Sequence, residues 1–283
     1  MASDWLRCVV APVAVNDPRS PDQILTEDPA TVGYWRSGES SGATAVDETG
    51  VHDGTYSNVT LGAAGPYGSD TAADFNGVDS HVNLGAIDVD GSGLTLTGWF
   101  YVDSFGSPAE GRIISKADGL AASSHTWMLS LDGTTSEERL RMRVSVGGTT
   151  STLIASSGDL EAGRWYHAAA TYDEASQQMR LYLDGEEVGS KTHSNSGDID
   201  QDPSQDVWIG DNPGGSRALD GRIDEVAILD RALTQAEIQA LASKSGSPYS
   251  VNEDATLVVN AAAGVLANDT DVEGDTLTVS LVS

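Results

Sequence analysis

Carboxylates dominate the chemistry open to this chain. Its 283 residues carry 43 Asp and Glu against 15 Lys and Arg, a formal net charge of −28. Such groups are hard oxygen donors, suited to calcium. Their field repels phosphate backbones and anionic surfaces, which argues against nucleic acid as a partner. For most of them the simpler reading is a solvated surface that keeps the protein soluble. The five histidines, at 52, 81, 125, 167 and 193, form no metal-type spacing, and no Gly-x-Ser-x-Gly elbow or phosphate loop occurs. His167, within WYHAAATY, reads as a packed structural histidine. What remains is aromatic. Trp99, Tyr101 and Trp127 lie in strand-like runs, with His125 beside Trp127. Aromatic faces with a polar rim can hold a sugar, and the competing reading places the same rings in a core. Trp165 and Trp208 read as core.

The elements that must position these groups are strands. The sequence has 31 glycines, which punctuate many short apolar runs, and 39% hydrophobic residues, enough for a core. LTLTGWFYV (94–102) is the clearest: Leu94, Leu96, Gly98, Phe100 and Val102 share one face, and Thr95, Thr97, Trp99 and Tyr101 the other. Further strands are expected at 31–36, within 71–85, and at 111–117, 125–132, 138–146, 151–156, 164–173, 207–210 and 222–230. A hairpin turning on Asp184-Gly185 is expected within 179–190. The run RLRMRVSV gives a basic outer face alternating with an apolar inner one. In RIDEVAILD the apolar positions do not alternate cleanly, which points to burial on both sides or a bulge. Thr234 and Glu237 form a Thr-x-x-Glu capping box opening a helix to about Ala242, with Ile238 and Leu241 on one face.

Segment boundaries follow from composition. Residues 1–30, with four prolines, read as a weakly ordered linker or the tail of a preceding module. Residues 31–243 form the sandwich, 244–248 a linker, and 249–283 the opening of a second module cut short. Cys8 is the single cysteine, so no intramolecular disulfide can form. No run approaches the roughly 18 apolar residues of a membrane helix, so no membrane insertion is expected. The first residues are too poor in charge and apolar length for a secretory leader, and the chain reads as a fragment of something larger.

Six pieces, in order, carry a resemblance: DETGVHDGT (47–55), AADFNGVDSHVNLG (72–85), LTLTGWFYV (94–102), RWYHAAATYD (164–173), LYLDG (181–185) and GRIDEVAILDRALTQAEIQAL (221–241). Together they resemble the concanavalin A-like, laminin-G-like jelly-roll domains of large bacterial surface and secreted proteins. The resemblance implies an all-β fold of two antiparallel sheets packed face to face, with one short C-terminal helix. VNEDATLVVN and GVLANDTDVEGDTLTV within 249–283 look like the start of a cadherin-like tandem repeat. An extracellular or cell-surface setting is implied.

Domains of this kind often hold a structural calcium where the first strands meet the last. The matching anchor is Asp224 in RIDEV, with partners expected from Asp47, from Asp53 and from backbone oxygen near Gly77. The competing reading has Asp224 capping a turn or pairing with Arg222 or Arg231. Relatives often carry Phe-Asp-Gly where this chain has Phe75-Asn76-Gly77. The same fold carries glycoside hydrolases, whose carboxyls share one strand face as Glu-x-Asp-x-x-Glu. Only Glu273-Gly274-Asp275 begins that pattern, outside the sandwich, so no enzyme is expected. The expected function is a calcium-stabilised adhesive module binding a glycan or an extracellular protein. The alternative is a structural spacer with no ligand. The sequence does not address oligomeric state.

Overall fold

The alternating run at 94–102 becomes the middle of a sheet because both of its faces are covered. The structure, a computed structural model, describes residues 21–68, 70–106, 110–133 and 137–243. The linker expected at 244–248 and the repeat-like segment 249–283 lie outside these residues, as do 1–20.

In chain order the elements begin with α1 (Pro21–Glu27), β1 (Thr31–Trp35), β2 (Thr44–Ala45), β3 (Gly54–Ser57), β4 (Thr60–Ala64), β5 (Thr71–Asn76) and β6 (His81–Ala86). The middle of the chain forms β7 (Gly93–Val102), β8 (Arg112–Ala117), β9 (His125–Asp132), β10 (Arg139–Val146), β11 (Thr149–Ile154) and β12 (Trp165–Asp173). The chain continues through β13 (Gln178–Leu183), β14 (Glu186–Thr192), β15 (Asp206–Ile209), β16 (Asp220–Leu229) and α2 (Gln235–Ala242). Two antiparallel sheets result. The first runs β14-β13-β12-β7-β16-β5-β4, with β1 also paired to β16; the second runs β11-β10-β9-β8-β15-β6-β3-β2.

Side-chain alternation fills the space between the sheets. Leu94, Leu96, Phe100 and Val102 of β7 share one core with Trp127, Leu129 and Leu131 of β9 and Leu140, Met142, Val144 and Val146 of β10. The hairpin tip has Asp184 and Gly185 both at positive φ, 50° and 85°, the geometry of the tight turn that Asp-Gly favours. Gly210, at φ 86°, cannot be replaced cheaply: a Cβ there would lie 2.2 Å from the Phe75 ring.

The outer face of the first sheet is roofed. Ile24 and Leu25 of α1, Tyr34 of β1, and Ile238 and Leu241 of α2 pack with Ala169 and Ala227 in a second apolar cluster. The alanines keep the sheet surface low enough for the helices to seat. The segment 21–27 is therefore an ordered helix with two buried side chains, which corrects the expectation of a weakly ordered linker through residue 30. α2 begins with the full capping box, Thr234 accepting from Glu237 N and Glu237 reaching back to Thr234 N. Arg231 ties the two helices, bonding Asp28 after α1 and Glu237 in α2.

Candidate functional site

β16 departs from regular pairing at one point. Its register against β7 shifts between Asp224 and Ala227, and Glu225 sits in the left-handed region at φ 54°. A non-glycine residue there is uncommon and carries strain. The bulge turns two consecutive carboxylates toward the same place. The turn after β4 adds a third: Gly65 N donates to Asp70 O and Asp70 N to Tyr67 O, which sets Asp70 over the sheet. One carboxylate oxygen each from Asp70, Asp224 and Glu225 lies within 4.8 Å of the others.

Asp224 is the buried member, with none of its surface exposed. Its Oδ1 accepts from Glu225 N at 3.1 Å, and its Oδ2 is buried with no hydrogen-bond donor. Burial first, then the charges of Glu225 and Asp70, push the Asp224 carboxyl up to about 10. Gly65 leaves space against that oxygen; a Cβ would stand 3.2 Å from Asp224 Oδ2. The donor set is oxygen only, which fits a hard divalent cation. Calcium takes six to eight oxygens, so carbonyls and water would complete the shell. The cavity alongside, lined by Tyr67, Trp99, His167 and Glu225 among others, holds about 10 Å³. A sugar ring does not fit there.

The partners expected for Asp224 are placed differently. Asp47 is buried, and both of its oxygens are engaged: Oδ1 accepts from Tyr34 N and Thr49 N, Oδ2 from Thr49 Oγ1, Val51 N and His52 N. Burial would raise its pKa, but the bonds from Thr49, Tyr34 and His52 hold it below the usual value. Asp47 is thus a loop cap, linked to the cluster at one remove: it fixes Tyr34, whose hydroxyl donates to Glu225. Asp53 is exposed and accepts from Asp47 N at 3.0 Å. Gly77 donates to Leu219 O and lines a separate cleft of about 220 Å³ beside Phe105, Glu110 and Asp220. Pairing of Asp224 with arginine does not occur: Arg222 pairs with Asp103 at 3.8 Å, and Arg231 is held by Asp28 and Glu237. The partners that the sequence motifs did not mark are Glu225, next to Asp224 in the strand, and Asp70. The signal for Asp70 was weak, a lone Asp after the turn Gly-Pro-Tyr-Gly.

The aromatic candidates divide by face. Trp99 faces outward from the first sheet but is buried under the roof, against Tyr67 at 5.3 Å and His167 at 5.4 Å. Trp127 points into the core. His125 is buried on the outer side of the second sheet, its Nε2 3.1 Å from Asn212 Oδ1. None of these three can meet a ligand on an open surface. Tyr101 remains half-buried, its ring 5.7 Å from that of Trp165, with the Arg222 guanidinium 4.6 Å over Tyr101. Trp165 and Trp208 correct the sequence reading in the other direction. Both are half-buried rather than core, Trp208 stacking on His81 at 3.7 Å.

Two antiparallel sheets packed face to face over one apolar core define a jelly-roll sandwich. A family model described as the concanavalin A-like lectin/glucanases superfamily matches residues 75–239, and the chain belongs to that superfamily. No curated protein matches the chain in sequence. Similar solved structures include domain 4 of AbnA, an extracellular arabinanase from Geobacillus stearothermophilus, in complex with arabinotriose. Its TM-score is 0.56 at 18% identity, over 75% of this chain and 98% of that one. Trypanosoma rangeli sialidase matches with a TM-score of 0.54 at 16% identity, over 78% of this chain and 36% of that one. The binding domain of Paraclostridial Mosquitocidal Protein 1 gives 0.57 at 17% identity, over 75% and 52%. At these identities the likeness is one of fold.

Proposed function

We propose that the protein is a non-catalytic carbohydrate-recognition module whose sandwich is fastened by a bound calcium ion. The observation that carries the calcium part of the reading is Asp224 Oδ2, buried, without a donor, and facing two further carboxylates. A divalent cation satisfies that oxygen and offsets the repulsion among all three carboxylates, whereas a proton shared between Asp224 and Asp70 neutralises only one of them. The ion is a fastener because of where it would sit: β16 meets the turn after β4 there, bringing late and early chain together. The small adjoining cavity supports a structural role over a catalytic one.

The sugar would be taken at Tyr101 and Trp165. They lie outside the cluster that the helices cover, and Arg222 and Asp103 beside them supply hydrogen-bonding groups. Half-exposed aromatic rings with polar neighbours suit the apolar face and hydroxyl edge of a sugar. The AbnA domain, which shares the fold, is described in complex with arabinotriose. A place in a larger extracellular or cell-surface protein is part of the proposal, supported by the repeat-like sequence of 249–283. The second reading, a spacer without a ligand, is favoured by the burial of Trp99, Trp127 and His125. An oligosaccharide array probed with wild type, Tyr101→Ala and Trp165→Ala decides between them. Glycan recognition predicts binding weakened at least tenfold in both variants, with melting unchanged. An array blank for wild type supports the spacer.

A further inference from the structure

The outer face of the second sheet gathers positive charge in a chain of net charge −28. Strand register builds it. Arg112 of β8 lies opposite Ser130 of β9, and Ser130 opposite Arg141 of β10. One row along the same face, Met128 lies opposite Arg143. Arg217, from the loop after β15, joins through Glu110, whose carboxylate accepts from Arg141 Nη1 and Arg217 Nε. Asp132 accepts from Arg141 at 3.2 Å, and Asp211 stands at the edge, holding the Asn212 and Arg217 amides.

Four guanidinium groups thus face three carboxylates, and the excess is visible. Arg141 is 2% exposed, and its Nη2 is buried without an acceptor. Burial, then the neighbouring Arg141 charge, with Arg143 and Arg217 adding and Glu110 opposing, pushes Arg112 down to about 9. Arg143 and Arg217 are half-buried, so this charge reaches solvent. An arginine fork matches a carboxylate through two parallel hydrogen bonds, and several forks around one anion select for it.

We propose that this face binds the carboxylate of an acidic sugar residue, held by Arg143 and Arg217 at the surface with Arg141 completing the site inward. This is a second sugar contact, on the other sheet from Tyr101 and Trp165; that the ligand is a sugar rests on the carbohydrate reading above, and that it is anionic rests on the arginines alone.

The test is titration calorimetry of the whole chain with four probes: a galacturonate oligomer, its methyl ester, a neutral galactose oligomer and a poly-glutamate peptide. Wild type is compared with Arg143→Gln and with Arg217→Gln, and melting confirms the fold of each. The expected result is galacturonate bound at least tenfold more tightly than its ester, with that preference lost in both variants. Equal affinity for acid and ester, or a preference that survives both substitutions, overturns the anionic site. If neutral sugars bind while galacturonate gains nothing, this inference fails and the carbohydrate reading stands. If no sugar binds at all, both fail. Poly-glutamate binding in place of galacturonate overturns the sugar assignment.

Discussion

Asp224 can be accommodated in the fold with a proton or with a cation, and the two differ in their response to pH. Without a cation, the folded chain holds the Asp224 proton up to about pH 10, while the ordinary value in the unfolded chain is 3.8. Between these values the folded state binds the extra proton, so stability falls as pH rises, by about 1.4 kcal/mol per pH unit for one proton. The buried histidines act with the opposite sign and at lower pH. Burial holds His125 neutral down to about 4 and His167 down to about 3, so their cost appears only as pH drops below the ordinary 6.5. The interval from pH 7 to 8 therefore isolates Asp224, since Arg112, pushed down to about 9 chiefly by burial, contributes with the opposite sign only above it. In chelator, urea melts of the wild type should lose stability across it. Calcium should remove the slope, and so should Asp224→Asn without calcium. A slope that both leave unchanged contradicts the assignment. Asp224 itself was legible in the sequence, through the strand motif RIDEV. Asp70 and Glu225 were not: only the fold carries Asp70 from the turn after β4 to β16, and strand alternation points Glu225 away from Asp224 until the bulge turns it.

At the scale of elements, the roof over the first sheet decides which aromatics are usable. Strand alternation placed Trp99 and Tyr101 on the outer face correctly. It could not say that α1, α2 and the Tyr67 turn cover Trp99 and leave Tyr101 half-open. α1 itself is hard to read: seven residues opening on Pro21 give too little periodicity to mark a helix. Its energetic weight follows from Ile24 and Leu25, which are 0% and 2% exposed. Ile24→Ala should destabilise the domain by about 2–5 kcal/mol, the usual cost of truncating a buried Ile or Leu. A loss below 0.5 kcal/mol in urea unfolding would show that α1 is dispensable. Trp208 illustrates the same limit in reverse. It lies between Val207 and Ile209, which face the core, so its own outward direction follows from alternation, whereas the sequence reading had placed it in the core.

For the molecule as a whole, the division of labour follows the faces of the sandwich. The space between the sheets is apolar core, one outer face is roofed and carries the acidic cluster, and the other concentrates arginine. Composition announced the acidic character but not its distribution; register alone brought the arginines of separate strands together. The central claim is that a divalent cation at Asp70, Asp224 and Glu225 fastens early chain to late chain. The most direct measurement is thermal or urea melting of the wild type in calcium and in chelator, with Asp224→Asn alongside. At calcium 100 times its dissociation constant the wild type should gain about 2.7 kcal/mol, and Asp224→Asn should gain little of it. Wild-type curves that coincide in calcium and in chelator would contradict the claim.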